Sequence, residues 1–177
     1  MTEKNDTSML TEKYIFRNIR QEEIAQTSEI EKICFPPNEA CSYEHMEDRV
    51  KKAPELFLVA EDRTTGRIAG FLNGLATDRE HLTDDFFTDA EVHDPNGKNI
   101  MLLGLDVLPE YQRQGLAREL VRCYKEREKA NGREKLILTC LPDKVEMYQK
   151  FGFKDHGIGG SVWGGEAWHE MSVELRG

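Results

Sequence analysis

The sequence predicts an α/β protein built on one mixed β-sheet flanked by helices, and three observations carry that prediction. Strand-like and helix-like apolar patterns alternate along most of the chain, the signature of a layered α/β domain. Met101 to Leu108, MLLGLDVL, is a nearly continuous apolar run broken by one Gly and one Asp, as expected of a strand covered on both faces. That run stops at Pro109 and leads through Gln112-Arg113-Gln114-Gly115 into a helix whose apolar residues Leu116, Leu120, Val121 and Tyr124 recur at helical spacing.

At 177 residues the chain suits one domain with one substantial core. Residues 1–13 read as a flexible polar tail and residues 14–177 as a single domain. Tyr14 to Arg20 reads as a first strand, and Glu22 to Phe35 as a helix with Ile24, Ile30 and Ile33 inward. Pro36 and Pro37 stop that helix, and Ser42 caps a second one running to about Ala53. Leu56 to Glu61 and Arg67 to Ala76 form an antiparallel pair turning at Thr64-Thr65-Gly66. Thr77 to Lys98 is a long acidic segment with Phe86 and Phe87 at its middle, either a partly ordered substrate lid or a solvated excursion. After the apolar run and its helix, which ends at Asn131-Gly132, come a buried strand at Lys135 to Cys140 and a short helix at Lys144 to Phe151. Phe153 to Val162 and Ala167 to Leu175 read as a closing hairpin.

Composition narrows the chemistry. A formal charge of −9, from 24 basic and 33 acidic side chains, argues against a nucleic-acid surface and agrees with a cationic small substrate. No apolar run approaches the ~20 residues of a membrane span. The opening MTEKNDTSMLTEK lacks the apolar core of a secretory signal, so a cytoplasmic protein is expected. Cys34, Cys41, Cys123 and Cys140 form no C-x-x-C pair, and the five His show no metal-ligand spacing, so neither disulfides nor a metal is expected. The Gly-containing loop before Leu116 is different: a helix start leaves several N–H groups without intrahelical partners at the positive end of the helix dipole, a natural place for a phosphate.

Val107-x-Pro109-x-x-Gln112-x-x-Gly115-x-Ala117 resembles the acetyl-CoA signature of the GNAT acetyltransferases, an Arg or Gln, two residues, Gly, one residue, then Gly or Ala. The downstream Tyr148-x-x-x-Gly152-Phe153 strengthens the resemblance, which extends from Tyr14 to Leu175 through the order β-α-α-β-β-β-α-β-α-β-β. It implies the GNAT fold and acetyl-CoA as co-substrate, with Leu105, Asp106 and Val107 along the pantetheine arm. Gln112 opens the loop, and Arg113, Gln114, Gly115, Leu116, Ala117 and Arg118 surround the pyrophosphate. It also implies Tyr148 as the general acid that protonates the departing thiolate; otherwise that Tyr simply packs between apolar neighbours. A backbone N–H near Leu105 is the implied partner of the thioester oxygen.

Within the superfamily the chain is similar to arylalkylamine N-acetyltransferases and their microbial relatives, on Phe35-Pro36 with Glu39-Ala40-Cys41-Ser42, on Ala53-Pro54-Glu55-Leu56 and on Trp168-His169-Glu170-Met171. The animal enzymes carry a His pair where this chain has Met101 and Leu103, so that base is missing. Glu39, Asp106 or His169 is then the candidate proton sink, and Glu39 and Trp168 are the candidate substrate-side residues. The implied reaction is acetyl transfer to a small primary amine, an arylalkylamine or a polyamine. A peptide or protein acetyltransferase and a non-catalytic acyl-CoA sensor are the alternatives. Homodimers are common in the superfamily, although no motif here requires one.

Overall fold

A computed structural model describes residues 9–176. The strands are β1 (Tyr14–Asn18), β2 (Phe57–Asp62), β3 (Ile68–Thr77), β4 (Asn99–Val107), β5 (Lys135–Cys140), β6 (Lys154–Ile158) and β7 (His169–Glu174). They form one sheet in the order β1-β2-β3-β4-β5-β7-β6, antiparallel throughout except where β4 meets β5. The helices are α1 (Ile24–Cys34), α2 (Tyr43–Lys52), the single turn α3 (Asp85–Thr88), α4 (Leu116–Ala130) and α5 (Val145–Lys150). This is the mixed sheet flanked by helices that the apolar patterns predict.

The helices cover both faces because the central strands are apolar on both. β3 is buried along its whole length. On it, Asn73 faces Glu31 of α1 across Gly104, while a Cβ on Gly74 would reach the Tyr124 hydroxyl of α4, so α1 and α4 lie on opposite faces. Gly74 reflects close approach of β4: the same Cβ would stand 2.7 Å from Ile100 Cγ2 and from the Met101 carbonyl. Local signals hold at the turns. The Ser42 hydroxyl accepts from the His45 N–H at 3.1 Å, capping α2, and Gly66 and Gly132 take the positive φ that their turns need.

Three expectations change. Ile33 is 54% exposed; nine residues at 100° each put it opposite Ile24, and the buried face of α1 is Ile24, Thr27, Ser28, Ile30 and Glu31. The acidic segment packs against the domain: Leu82 and Phe86 are buried, Glu170 accepts the Leu82 N–H at 2.9 Å, and Asp84 accepts the Val162 N–H at 3.2 Å. Of the tail over 1–13, residues 1–8 lie outside the described residues, whereas residues 9–13 are helical with Leu10 buried.

Two irregularities in β4 shape the centre. Asn73 pairs with Gly104 but Gly74 with Leu102, which leaves Leu103 as an extra residue, a β-bulge. On its other edge β4 pairs with β5 only through Asn99–Lys135, Ile100–Leu136 and Met101–Ile137. β5 keeps pairing with β7 as far as Cys140–His169. From Leu102 onward, therefore, one edge of β4 has no neighbouring strand, and the sheet splits.

Candidate active site

The split opens a cleft of about 740 Å³. Leu103, Leu105 and Val107 form one side, Leu138 and Cys140 the other. Pro109 ends β4 because it supplies no N–H to a ladder, and a short turn then brings the chain round to α4. Arg113 (φ 63°) is the one non-glycine residue at positive φ among those described, and Gly115 (φ 83°) is the N-cap of α4. The first hydrogen bond of α4 runs from Glu119 N–H to the Gly115 carbonyl, so the amides of Leu116 and Ala117 have no intrahelical acceptor and sit at the positive end of the helix.

Side chains around this loop divide into two groups. Gln112 Nε2 donates to the Val107 carbonyl at 3.0 Å, and Gln114 Oε1 accepts from Lys13 Nζ and the Tyr14 hydroxyl, both at 2.9 Å. One group of each amide is thus engaged with the protein itself, and the unpaired backbone amides after Gly115 are further donors that this loop offers a ligand. Arg113 and Arg118 instead join Arg122, Lys125 and Lys150 around an adjoining basin of about 420 Å³. These last three escape motif reading, although Arg118 and Arg122 stand one turn apart on α4 and so share a face. An open strand edge, unpaired helix-start amides and a basic basin in sequence fit the thioester arm, the pyrophosphate and the further phosphate of a coenzyme A ester.

Tyr148 lines the cleft from α5. Its ring sits edge-on to Phe151 and Phe153 at 6.0 and 5.7 Å, and burial, with the nearby Cys140 and Asp106, pushes its phenol pKa up, so the hydroxyl stays protonated. Asp106 is absent from the cleft wall: its side chain is fully buried against α1, where burial and the carboxylate of Glu31 push its pKa well up. Only its backbone can serve a ligand along β4. His169 also turns away from the cleft, with Nδ1 3.0 Å from Asp155 Oδ1.

The far wall is aromatic and acidic. Phe87 stacks on Trp163 with ring centres 5.1 Å apart, Trp163 Nε1 donates to the Glu39 carbonyl at 2.9 Å, and Trp168 Nε1 donates to the Trp163 carbonyl at 2.7 Å. Burial pushes the Glu39 carboxyl up to about 7, with Glu166 and Asp143 adding to the rise. Glu39 and Trp168 thus meet in the cleft, and the 77–98 segment contributes Phe87. Glu31 and Arg49 line it too. A charged residue on an otherwise inward helix stripe, Glu31 with Ile24 and Arg49 with Met46 and Val50, was the available signal for both. Among the described residues no cluster of His, Cys, Asp and Glu is placed to hold a metal ion, and no helix is long and apolar enough to cross a membrane.

Comparison with known proteins agrees with this fold. The chain is 27% identical over 158 residues to the probable hydrolase YhcX of Bacillus subtilis (strain 168), a match covering 85% of this chain but 30% of that longer protein. Among solved structures it superimposes on the loading GNATL domain of CurA from Lyngbya majuscula with a TM-score of 0.81 at 18% identity, covering 92% of this chain and 98% of that one. The GphF GNAT-like decarboxylase in complex with isobutyryl-CoA gives 0.76 at 18% identity, over 92% and 100% of the two chains. The YhbS protein of Escherichia coli, a GNAT family N-acetyltransferase in complex with CoA, gives 0.62 at 21% identity, over 92% and 82%. At these identities the structures establish a shared fold. The family model of the GNAT acetyltransferases matches residues 24–153, most of the domain, and the chain belongs to that family.

Proposed function

We propose that the chain moves the acetyl group of acetyl-CoA directly to the primary amine of a small molecule with an aromatic or apolar body. The observation that carries this reading is the splitting of β4 from β5 beside Tyr148: a free strand edge for the thioester arm, with a neutral phenol at the same cleft. Acetyl transfer needs a neutral amine, a carbonyl held where its oxygen gains charge, and a proton for the thiolate. Backbone N–H groups of β4 around Leu105 serve the oxygen, and Tyr148 serves the sulfur. The Phe87–Trp163 stack and Trp168 favour an arylalkyl body over a polyamine, whose second cation would meet the guanidinium of Arg49.

The test is mass-spectrometric detection of acetylated product from arylalkylamines, polyamines, amino acids and short peptides with acetyl-CoA, a readout indifferent to the four thiols. A small arylalkyl acceptor converted by the wild type, and converted more slowly by Tyr148→Phe, supports the reading. Turnover of peptides alone, or none despite CoA binding, overturns it.

A further inference from the structure

Two charged side chains on the acceptor side of the cleft have no task in acetylating a plain amine. Arg49, on α2, is 3% exposed; its Nη2 donates to the Phe87 carbonyl at 3.1 Å, but Nε and Nη1 meet no partner. Glu31, on α1, is 4% exposed; its Oε2 accepts the Cys41 N–H at 3.0 Å, and its carboxylate lies against the carboxyl of Asp106. Both line the cleft. A buried guanidinium with idle donors is a costly arrangement that calls for an anion to complete it, and a buried carboxylate set beside a second carboxyl favours a cation. The carboxylate end lies beside the reaction centre: a Cβ on Gly104 would stand 3.6 Å from Glu31 Oε1 and 3.3 Å from Asp106 Oδ1, one residue beyond the bulge where the sheet splits.

Resting on the N-acetyltransferase reading, we propose that the acceptor is a zwitterion of the amino-acid class, its ammonium received by Glu31 and its carboxylate by Arg49. The ammonium gives one proton to Glu31, and the freed lone pair forms the N–C bond at the thioester carbonyl. The C–S bond then breaks, the thiolate takes the proton of Tyr148, and the second proton lost by nitrogen restores the phenol. Glu31 releases its proton to solvent, so one proton leaves per turnover.

Matched acceptors that differ only in the carboxylate test this: phenylalanine against 2-phenylethylamine, and tryptophan against tryptamine, each with acetyl-CoA and the full chain. The wild type should favour the amino acid by at least about ten-fold in kcat/KM, because a buried donor left unpaired discriminates strongly. Arg49→Gln should collapse that ratio to within a few-fold through KM, and Arg49→Lys should restore part of it. A readout free of turnover is calorimetric binding to the CoA-saturated wild type, where N-acetylphenylalanine should bind at least about ten-fold more tightly than N-acetyl-2-phenylethylamine. This last comparison needs no variant to fold. Equal handling of the two members of each pair overturns the proposal. So does an Arg49-dependent preference for malonyl-CoA over acetyl-CoA, which would put the anion on the donor. Retained carboxylate preference in binding with no acetylation of any amine sustains the Arg49 site and sinks the N-acetyltransferase reading instead.

Discussion

Burial pushes up the pKa of Tyr148 at the cleft wall and of Asp106 behind it. For Tyr148 the consequence, on the proposed function, is catalytic: a phenol that does not ionise remains a donor over the working pH range. Tyr148→Phe should leave acetyl-CoA affinity within about two-fold and lower kcat by about 10²-fold or more, as for other lost general acids; unchanged kcat would make the residue a packing element. For Asp106 the consequence is a stability that depends on pH. Its folded pKa lies above the unfolded value near 3.9, so between those two values the native state binds the extra proton and stability falls as pH rises. Asp106→Asn removes that dependence while keeping the shape. Its unfolding free energy should therefore gain on the wild type as pH rises from about 4, by up to about 1.4 kcal/mol per pH unit, read as a rising difference in melting temperature. Parallel curves would mean that Asp106 ionises in the fold as it does outside it. Neither Glu31 nor Arg49 was legible as a site residue, because a charge on an inward stripe acquires meaning only when its neighbours are known. Tyr148, Glu39 and Trp168 were legible because short local motifs carry them.

The element that organises the site is β4 with its turn into α4, and it was also the most legible part of the chain. A long apolar run, a Pro stop and a Gly-led helix are local signals, and each holds in the fold. The split from β5 was not readable from residues, because it depends on which register two distant strands adopt and on a bulge at Leu103 that no local rule marks. The acidic segment was open for a similar reason: its apolar anchors Leu82 and Phe86 find their partners far along the chain. Gly115 tests the turn itself. At φ 83° an added Cβ meets, among the described residues, only Leu10 Cδ1, at 3.9 Å, and Gly115→Ala must hold a left-handed conformation at a cost of about 1 kcal/mol. The expected outcome is a melting temperature lower by about 2–4 °C together with CoA affinity reduced several-fold, since the amides that follow are re-aimed. An equal loss of stability with full CoA affinity would separate the loop from phosphate binding.

Across the whole molecule, charge is distributed against its own average. The chain carries a net −9, yet Arg113, Arg118, Arg122, Lys125 and Lys150 gather at one end of the cleft and the carboxylates Glu31, Glu39 and Glu166 lie at or beside the other. On the proposed function, a polyanionic donor is drawn to the basic basin and a cationic amine group to the acidic part of the cleft, while the surrounding negative field disfavours the donor elsewhere. Coenzyme A should consequently stabilise the fold in a salt-dependent way. At a free concentration of about 100 Kd the ligand adds about 2.7 kcal/mol, a rise of about 5–10 °C in melting temperature for a domain of this size. That rise should shrink as ionic strength goes from about 0.05 to 0.5 M, because the pairs at the basin are partly exposed and the Debye length contracts. Lys150 is an exposed member on α5, ion-paired with Glu146 one helical turn away at 3.6 Å. Lys150→Glu should therefore shift the ligand-free melting temperature by no more than about 2 °C, while weakening CoA several-fold and flattening the salt dependence. A CoA-induced rise that is the same at both ionic strengths would assign the affinity to the strand edge and the loop amides, and would leave the basic basin without a part in binding.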